Sequence, residues 1–279
     1  MSGLTQEGTS RFVEVDGVRI HYHEAGEGPT AILLHGGGPG ASGWSNFHGN
    51  IDAFSKNFRT VIVDMPGFGE SDKPISEEKL GAFNARYLVP MMDKLGIDKA
   101  HFVGNSMGGH VALKIAIDQP DRVDRMVLMA PALLVAFIAP NPTEGAKILR
   151  TYYHAPGPSR ERMRQFLSTL VYDQSHLDED IVEKRYQRSI EPDIQEWSKH
   201  MAPRPDRFEP LWPELSRIQH RSLLVWGRDD RVVPLDRALY MLHQMPNVRL
   251  HVIGKCGHWV MVEHPESFNR LCTDFLTES

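Results

Sequence analysis

Cysteine is scarce: Cys256 and Cys272 are the only two in 279 residues. That excludes a disulfide framework and suits a reducing cytoplasm. Long apolar runs are missing too, and none approaches the ~18–20 residues of a membrane span. Residues 1–8 carry neither a basic nor an apolar stretch, so no signal peptide is expected. The formal net charge of −5 leaves no basic footprint, which argues against nucleic acid as a partner. It does not exclude an anionic ligand, because local charge can oppose the net charge. Fourteen histidines invite a metal reading. No His-Glu-x-x-His and no Cys-x-x-Cys occurs, so no metal site is expected. Repeats and low-complexity segments are absent as well.

What is present fits a globular α/β chain, 41% apolar and 24% charged. Val13 and Val15 alternate, Asp16-Gly17 turns, and Val18, Ile20 and Tyr22 alternate again, which predicts a β-hairpin. Short continuous apolar runs follow at 31–34, 61–63, 101–103, 126–129, 223–226 and 250–253. Such runs suit strands buried on both faces of a mostly parallel sheet. A last helix is expected from Pro265, with Phe268, Leu271, Cys272, Phe275 and Leu276 on one face. Between the fourth and fifth of these runs lies an interval too long for a crossover, bracketed by prolines and rich in arginine. It reads as an inserted helical lid over 133–210, on a core formed by 1–132 and 211–279.

Gly104-Asn105-Ser106-Met107-Gly108-Gly109 follows the run at 101–103 and opens a helical stretch. Gly-x-Ser-x-Gly in that context is a nucleophile elbow: a tight turn lifts the serine hydroxyl above the sheet, and neighbouring Cβ atoms would clash. The run at 31–34 ends in His35-Gly36-Gly37-Gly38-Pro39-Gly40, where bare backbone can approach a ligand. Oxyanion donors are expected at Gly37 or Gly38 and at Met107. A phosphate loop is disfavoured, because the Lys-Ser/Thr ending is missing. A serine hydroxyl needs a base and the base needs an orienting acid. His258 follows the last apolar run and Asp230 the one before it, in the chain order Ser, Asp, His. Asp229 is the rival acid. The reading rests on three suitable residues at three strand ends.

Together these segments resemble the meta-cleavage product hydrolases, α/β-hydrolases that cut carbon–carbon bonds in bacterial aromatic degradation. The similarity rests on His35 to Ala41 with Trp44-Ser45-Asn46, Asp64-Met65-Pro66-Gly67-Phe68-Gly69, the elbow with Asn105, Tyr172-Asp173-Gln174, Trp226-Gly227-Arg228-Asp229-Asp230, and Cys256-Gly257-His258-Trp259. The resemblance implies an α/β-hydrolase fold and 2-hydroxy-6-oxohexa-2,4-dienoate substrates cleaved between C5 and C6. It implies that Arg185 in the lid holds the substrate carboxylate, with Asn46, Asn105 and Trp259 in the same polar pocket. A homodimer and no cofactor are also implied. Leu170, Leu167, Val171 and the apolar stretch 133–138 could line the site for the C6 substituent. Phenyl, alkyl and fused-ring substituents stay open, with a lean toward aryl. A carboxylesterase with the same triad is the alternative enzyme, and a non-catalytic small-molecule binder the alternative from another class. Haloalkane dehalogenases and epoxide hydrolases carry aspartate where Ser106 stands.

Overall fold

The computed structural model describes residues 4–133, 139–201 and 205–278. Eight strands form one sheet: β1 (Ser10–Val15), β2 (Val18–Ala25), β3 (Thr30–Leu34), β4 (Arg59–Val63), β5 (Ala100–Asn105), β6 (Val123–Met129), β7 (Ser222–Gly227) and β8 (Val248–Ile253). Their spatial order is β1-β2-β4-β3-β5-β6-β7-β8. β2 runs antiparallel to β1 and β4, and every other pairing is parallel. Asp16 and Gly17 join β1 to β2 with φ of 49° and 77°, the doubly positive turn that matches strand twist.

The continuous apolar runs are explained by cores on both faces of the sheet. Along β3, Ala31 and Leu33 join one buried cluster, and Ile32 and Leu34 the other. Helix Met107–Asp118 adds fully buried Val111, Leu113 and Ile115, each contributing roughly 1.5–3 kcal/mol. The run at 250–253 departs from expectation. β8 has a partner only on the β7 side and none of its residues is buried; Val252 is 41% exposed. An edge strand has the same composition but only one neighbour to cover it.

β3 lies between β4 and β5, so the direction of sheet building reverses there. A crevice forms at such a switch point, beyond the carboxyl ends of the strands. Leu34 is level with Gly104, so the loop after β3 and the turn after β5 leave the sheet side by side. Asp64, at the end of β4, braces this edge. Its carboxylate accepts from the Gly43 N–H at 2.6 Å and the Glu70 N–H at 2.9 Å, and meets His21 Nδ1 at 2.8 Å. A Cβ at Gly69 would lie 1.9 Å from that carboxylate, which accounts for the glycine in the Asp-x-Pro-Gly-x-Gly turn.

Among the described residues, four α-helices lie between β6 and β7: Glu144–Thr151, Arg160–Ser168, Glu179–Ser189 and Pro192–Met201. Thr143, Ser159 and Asp178 cap the first three through side-chain oxygens, each worth about 1 kcal/mol. Val182, Arg185 and Ser189 form the buried face of the third helix, so an arginine occupies a core position. Leu133 is buried. The rest of that apolar stretch, 134–138, and Pro203 lie outside the described residues. Glu209 closes the segment. It accepts from the Gly81 and Ala82 N–H groups and meets His110 on the helix after Ser106 at 2.9 Å. Pro265–Thr277 is helical, as its spacing predicts. Among the described residues no helix is long and apolar enough to cross a membrane.

Candidate active site

Ser106 joins β5 to helix Met107–Asp118 with φ 52° and ψ −110°. A non-glycine residue there is strained by about 1–3 kcal/mol. The surroundings enforce the conformation. The Ser106 N–H donates to the Met129 carbonyl at 2.8 Å, and the Ser106 carbonyl accepts from Ala132 and His110. A Cβ at Gly108 would lie 2.1 Å from the Leu34 carbonyl oxygen, and one at Gly104 would lie 2.7 Å from the Gly108 backbone. These two glycines let the elbow press against β3.

His35 shapes the facing loop. Its Nδ1 lies 2.9 Å from the Gly36 carbonyl oxygen, and the Met65 N–H donates to its Nε2 at 3.1 Å. The proton therefore sits on Nδ1. Burial holds the ring below the usual histidine range, while Asp64 and the Gly36 carbonyl act the other way. A trans peptide carries its C=O and N–H on opposite sides. With the Gly36 C=O tied to His35, the Gly37 N–H points away from that ring, and Gly37 lines the cavity of Ser106. The N–H groups of Gly37, Gly38 and Met107 donate to no described residue.

His258 Nδ1 lies 2.7 Å from Asp230 Oδ2, with both side chains buried. Asp230 Oδ1 is held by the N–H groups of Val232 and Val233. Asp229 turns elsewhere and accepts from the Lys255 N–H. Ser106 and His258 line one cavity of about 30 Å³, together with Gly36, Gly37, Asn46, Asn105 and Arg185. Among the described residues no hydrogen bond joins the Ser106 hydroxyl to the imidazole. Such bonds are often open before substrate binds. Cys256, two positions before His258, is no rival nucleophile. Burial, then Glu263 and Asp230, push its thiol far up.

Arg185 is only 3% exposed. Its Nε donates to the Pro39 carbonyl at 2.9 Å, and its guanidinium carbon lies 5.6 Å from the Trp259 ring centre. No carboxylate pairs with it among the described residues. Burial pushes its pKa down to about 10, which still leaves it charged at neutral pH. Asn105 Nδ2 donates to the carbonyls of Met129 and His258, and its buried Oδ1 has no partner. Asn46 is placed differently. Its amide bonds the Ser42 carbonyl and the Gly36 N–H, so it braces the loop and adds little free polarity. Leu170 lines the cavity beside Phe166, Leu149 and Val232, and its carbonyl accepts from the Trp259 N–H at 2.9 Å. Leu167 and Val171 are buried in the core cluster around it. A larger cavity of about 580 Å³ lies beyond Leu149, lined in part by Gly38, Phe68, Tyr153 and Trp197.

Sequence reasoning missed Glu263. Its signal, a carboxylate five residues after a candidate catalytic histidine, is too common to single out. It also missed His35 as more than part of a glycine loop.

A family profile described as alpha/beta hydrolase fold matches residues 30–265. The chain is 42% identical to a 2-hydroxy-6-oxononadienedioate/2-hydroxy-6-oxononatrienedioate hydrolase of Burkholderia vietnamiensis, over 98% of this chain and 97% of that one. It is 41% identical to a 2-hydroxy-6-oxo-6-phenylhexa-2,4-dienoate hydrolase of Comamonas testosteroni, with both chains fully covered. The structure superposes on a meta-cleavage product hydrolase from Pseudomonas fluorescens IP01 with a TM-score of 0.87 and 36% identity, over 95% of this chain and 97% of that one. Likeness of this extent, spread along the whole chain and not confined to the elbow, places the protein: it belongs to the α/β-hydrolases, among the meta-cleavage product hydrolases.

Proposed function

We propose that the protein hydrolyses the C5–C6 bond of 2-hydroxy-6-oxohexa-2,4-dienoates. Ser106 is the nucleophile, His258 the base and Asp230 its orienting acid. The observation that carries this reading is Arg185, a buried cation without an acidic partner in the cavity of Ser106. A neutral ester would bring it no counter-charge. A substrate carboxylate supplies the missing charge, and the planar guanidinium suits it. Asn105 Oδ1, also unpartnered, can accept from the 2-hydroxyl.

In this mechanism, binding beside Arg185 favours the keto form, with C5 protonated. Ser106 gives its proton to His258 and attacks the C6 carbonyl. The N–H groups of Met107 and of Gly37 or Gly38 hold the oxyanion. The C5–C6 electron pair leaves as a dienolate stabilised by the C2 oxygen and carboxylate, and the dienolate takes the proton held by His258 to depart as the 2-hydroxypenta-2,4-dienoate, which returns His258 to its neutral form. Water, deprotonated by His258, then cleaves the acyl-enzyme and releases the carboxylic acid.

A cavity of about 30 Å³ holds a water or two, not a dienoate. Leu149, Phe166 and Leu170 come from the segment between β6 and β7, so 133–210 acts as a lid that must open. The apolar wall of these residues with Val232, and the aromatic lining beyond Leu149, favour an aryl C6 substituent. Two buried, unpaired cysteines suit the cytoplasm. The open edge of β8, with exposed Leu239, Leu242 and Val252 nearby, suits a homodimer, which light scattering would test.

Mixing the protein with phenyl, alkyl and dicarboxylate ring-fission products, and following the dienolate colour, tests the function. Decay in the wild type and none in Ser106→Ala is the expected result. Rapid p-nitrophenyl ester turnover with no dienoate cleavage would point to the esterase reading. Tight binding without fluorophosphonate labelling of Ser106 would point to a binder.

A further inference from the structure

Glu263 has no part in the chemistry above, yet it is only 5% exposed and its carboxylate is fully engaged. It ends the short helix Val260–Glu263 directly after His258 and Trp259. Oε2 accepts from the Gly257 N–H at 2.6 Å. Oε1 accepts from the N–H groups of Tyr172 and Asp173 at 2.8 and 3.0 Å. One oxygen thus holds the residue before the catalytic imidazole. The other holds the turn that follows the cavity wall at Phe166 and Leu170.

The two segments also touch directly. The Trp259 N–H donates to the Leu170 carbonyl at 2.9 Å. A Cβ at Gly257 would lie 2.8 Å from that same oxygen and 2.9 Å from Val171, so glycine there permits the approach. The imidazole is anchored at its ring by Asp230 and at its own carbonyl by Asn105. On the chain entering His258, Asp229 holds Lys255 and Cys256, and Glu263 holds Gly257, the residue next to the histidine.

We propose that Glu263 is a positioning residue for catalysis, fixing the backbone of His258 and the Leu170 wall as one unit. The chemistry demands a carboxylate. Three N–H donors converge on two oxygens, and an amide would turn its own N–H toward at least one of them. Losing the Gly257 tether frees the loop, and a shift of ~1 Å in a reacting group lowers turnover ~100-fold. Substrate affinity rests on Arg185 and Asn105, which Glu263 does not touch, so kcat should suffer more than KM.

This inference rests on the assignment of His258 as the base, and two readouts separate their failures. Glu263→Gln and Glu263→Asp are compared with the wild type by melting temperature, by titration of active sites with a fluorophosphonate and by its labelling rate. kcat and KM on the ring-fission product are then taken per titrated site. Glu263→Gln should lower kcat and the labelling rate by about 10- to 100-fold, with KM within threefold. Glu263→Asp, which keeps the charge on a shorter arm, should fall between. Should the glutamine variant not fold, the aspartate variant carries the test alone. Rates per titrated site within twofold of wild type, whatever the change in melting temperature, overturn the proposal. If the wild type does not cleave dienoates but the variants still label slowly, the positioning role stands and the substrate reading falls.

Discussion

The carboxyl edge of the sheet and the helical segment between β6 and β7 build the same cavity by different means. At the sheet edge, backbone geometry does the work: a strained Ser106, glycines packed without clearance, and a glycine loop held by one buried histidine. In the inserted segment, side chains do it: one arginine in place of a core residue, and an apolar wall. The first arrangement prepares a reaction common to many hydrolases. Under the proposed function, the second selects which molecule undergoes it. Chemistry and specificity should therefore separate under mutation.

The largest effect is expected at the edge. Ser106→Ala or His258→Ala should lower kcat on both dienoates and simple esters by about 10⁴-fold or more. A loss confined to dienoates would break the comparison. Next comes Arg185→Ala. Truncating the buried charge that pairs with the substrate should cost about 2–5 kcal/mol, or roughly 30- to 5,000-fold in dienoate kcat/KM. Turnover of p-nitrophenyl acetate per titrated site should stay within threefold. Equal loss on both substrates would show that Arg185 holds the loop at Pro39 and nothing more.

The two regions are joined by Glu209, and pH can weaken that joint. Burial raises the pKa of Glu209, but the His110 contact and the Ala82 N–H outweigh it and hold it at about 2, below the ordinary 4.5. The contribution to stability is therefore complete above about pH 5 and fades as pH falls toward 2. Glu209→Gln should lower the melting temperature by roughly 2–4 °C at pH 7, and by progressively less at pH 4 and pH 3. A gap that does not narrow would count against the assignment. The smallest effect is expected at Leu170→Ala. It keeps the carbonyl that holds Trp259 and removes only wall. Preference for phenyl over methyl substituents, read as a ratio of kcat/KM, should drop about tenfold.

Much of the sheet edge was legible in the sequence, because tight backbone turns restrict residue type locally. Gly104, Gly108 and Ser106 have to be what they are for reasons within a few residues. The Gly-x-x-Asp spacing favours Asp230 over Asp229 without settling the choice. The structure sets one against His258 and the other against the Lys255 N–H. The run at 250–253 read as a covered strand, since composition does not reveal how many neighbours a strand has. Asn46 lines the cavity as the resemblance implies, and the structure adds that its amide also engages Ser42 and Gly36.

By itself the sequence determined the hairpin, the alternation of buried strands and helices, the elbow and the order of the candidate triad. Each follows from local periodicity or from a turn that few residues can make. Only the tertiary structure decided that Arg185 is buried with no carboxylate beside it among the described residues, that His35 holds the Gly36 carbonyl, and that Glu263 ties residue 257 to residues 172 and 173. Those facts depend on which side chains meet across scores of residues, and desolvation and hydrogen bonding act on distance in space and not on position along the chain.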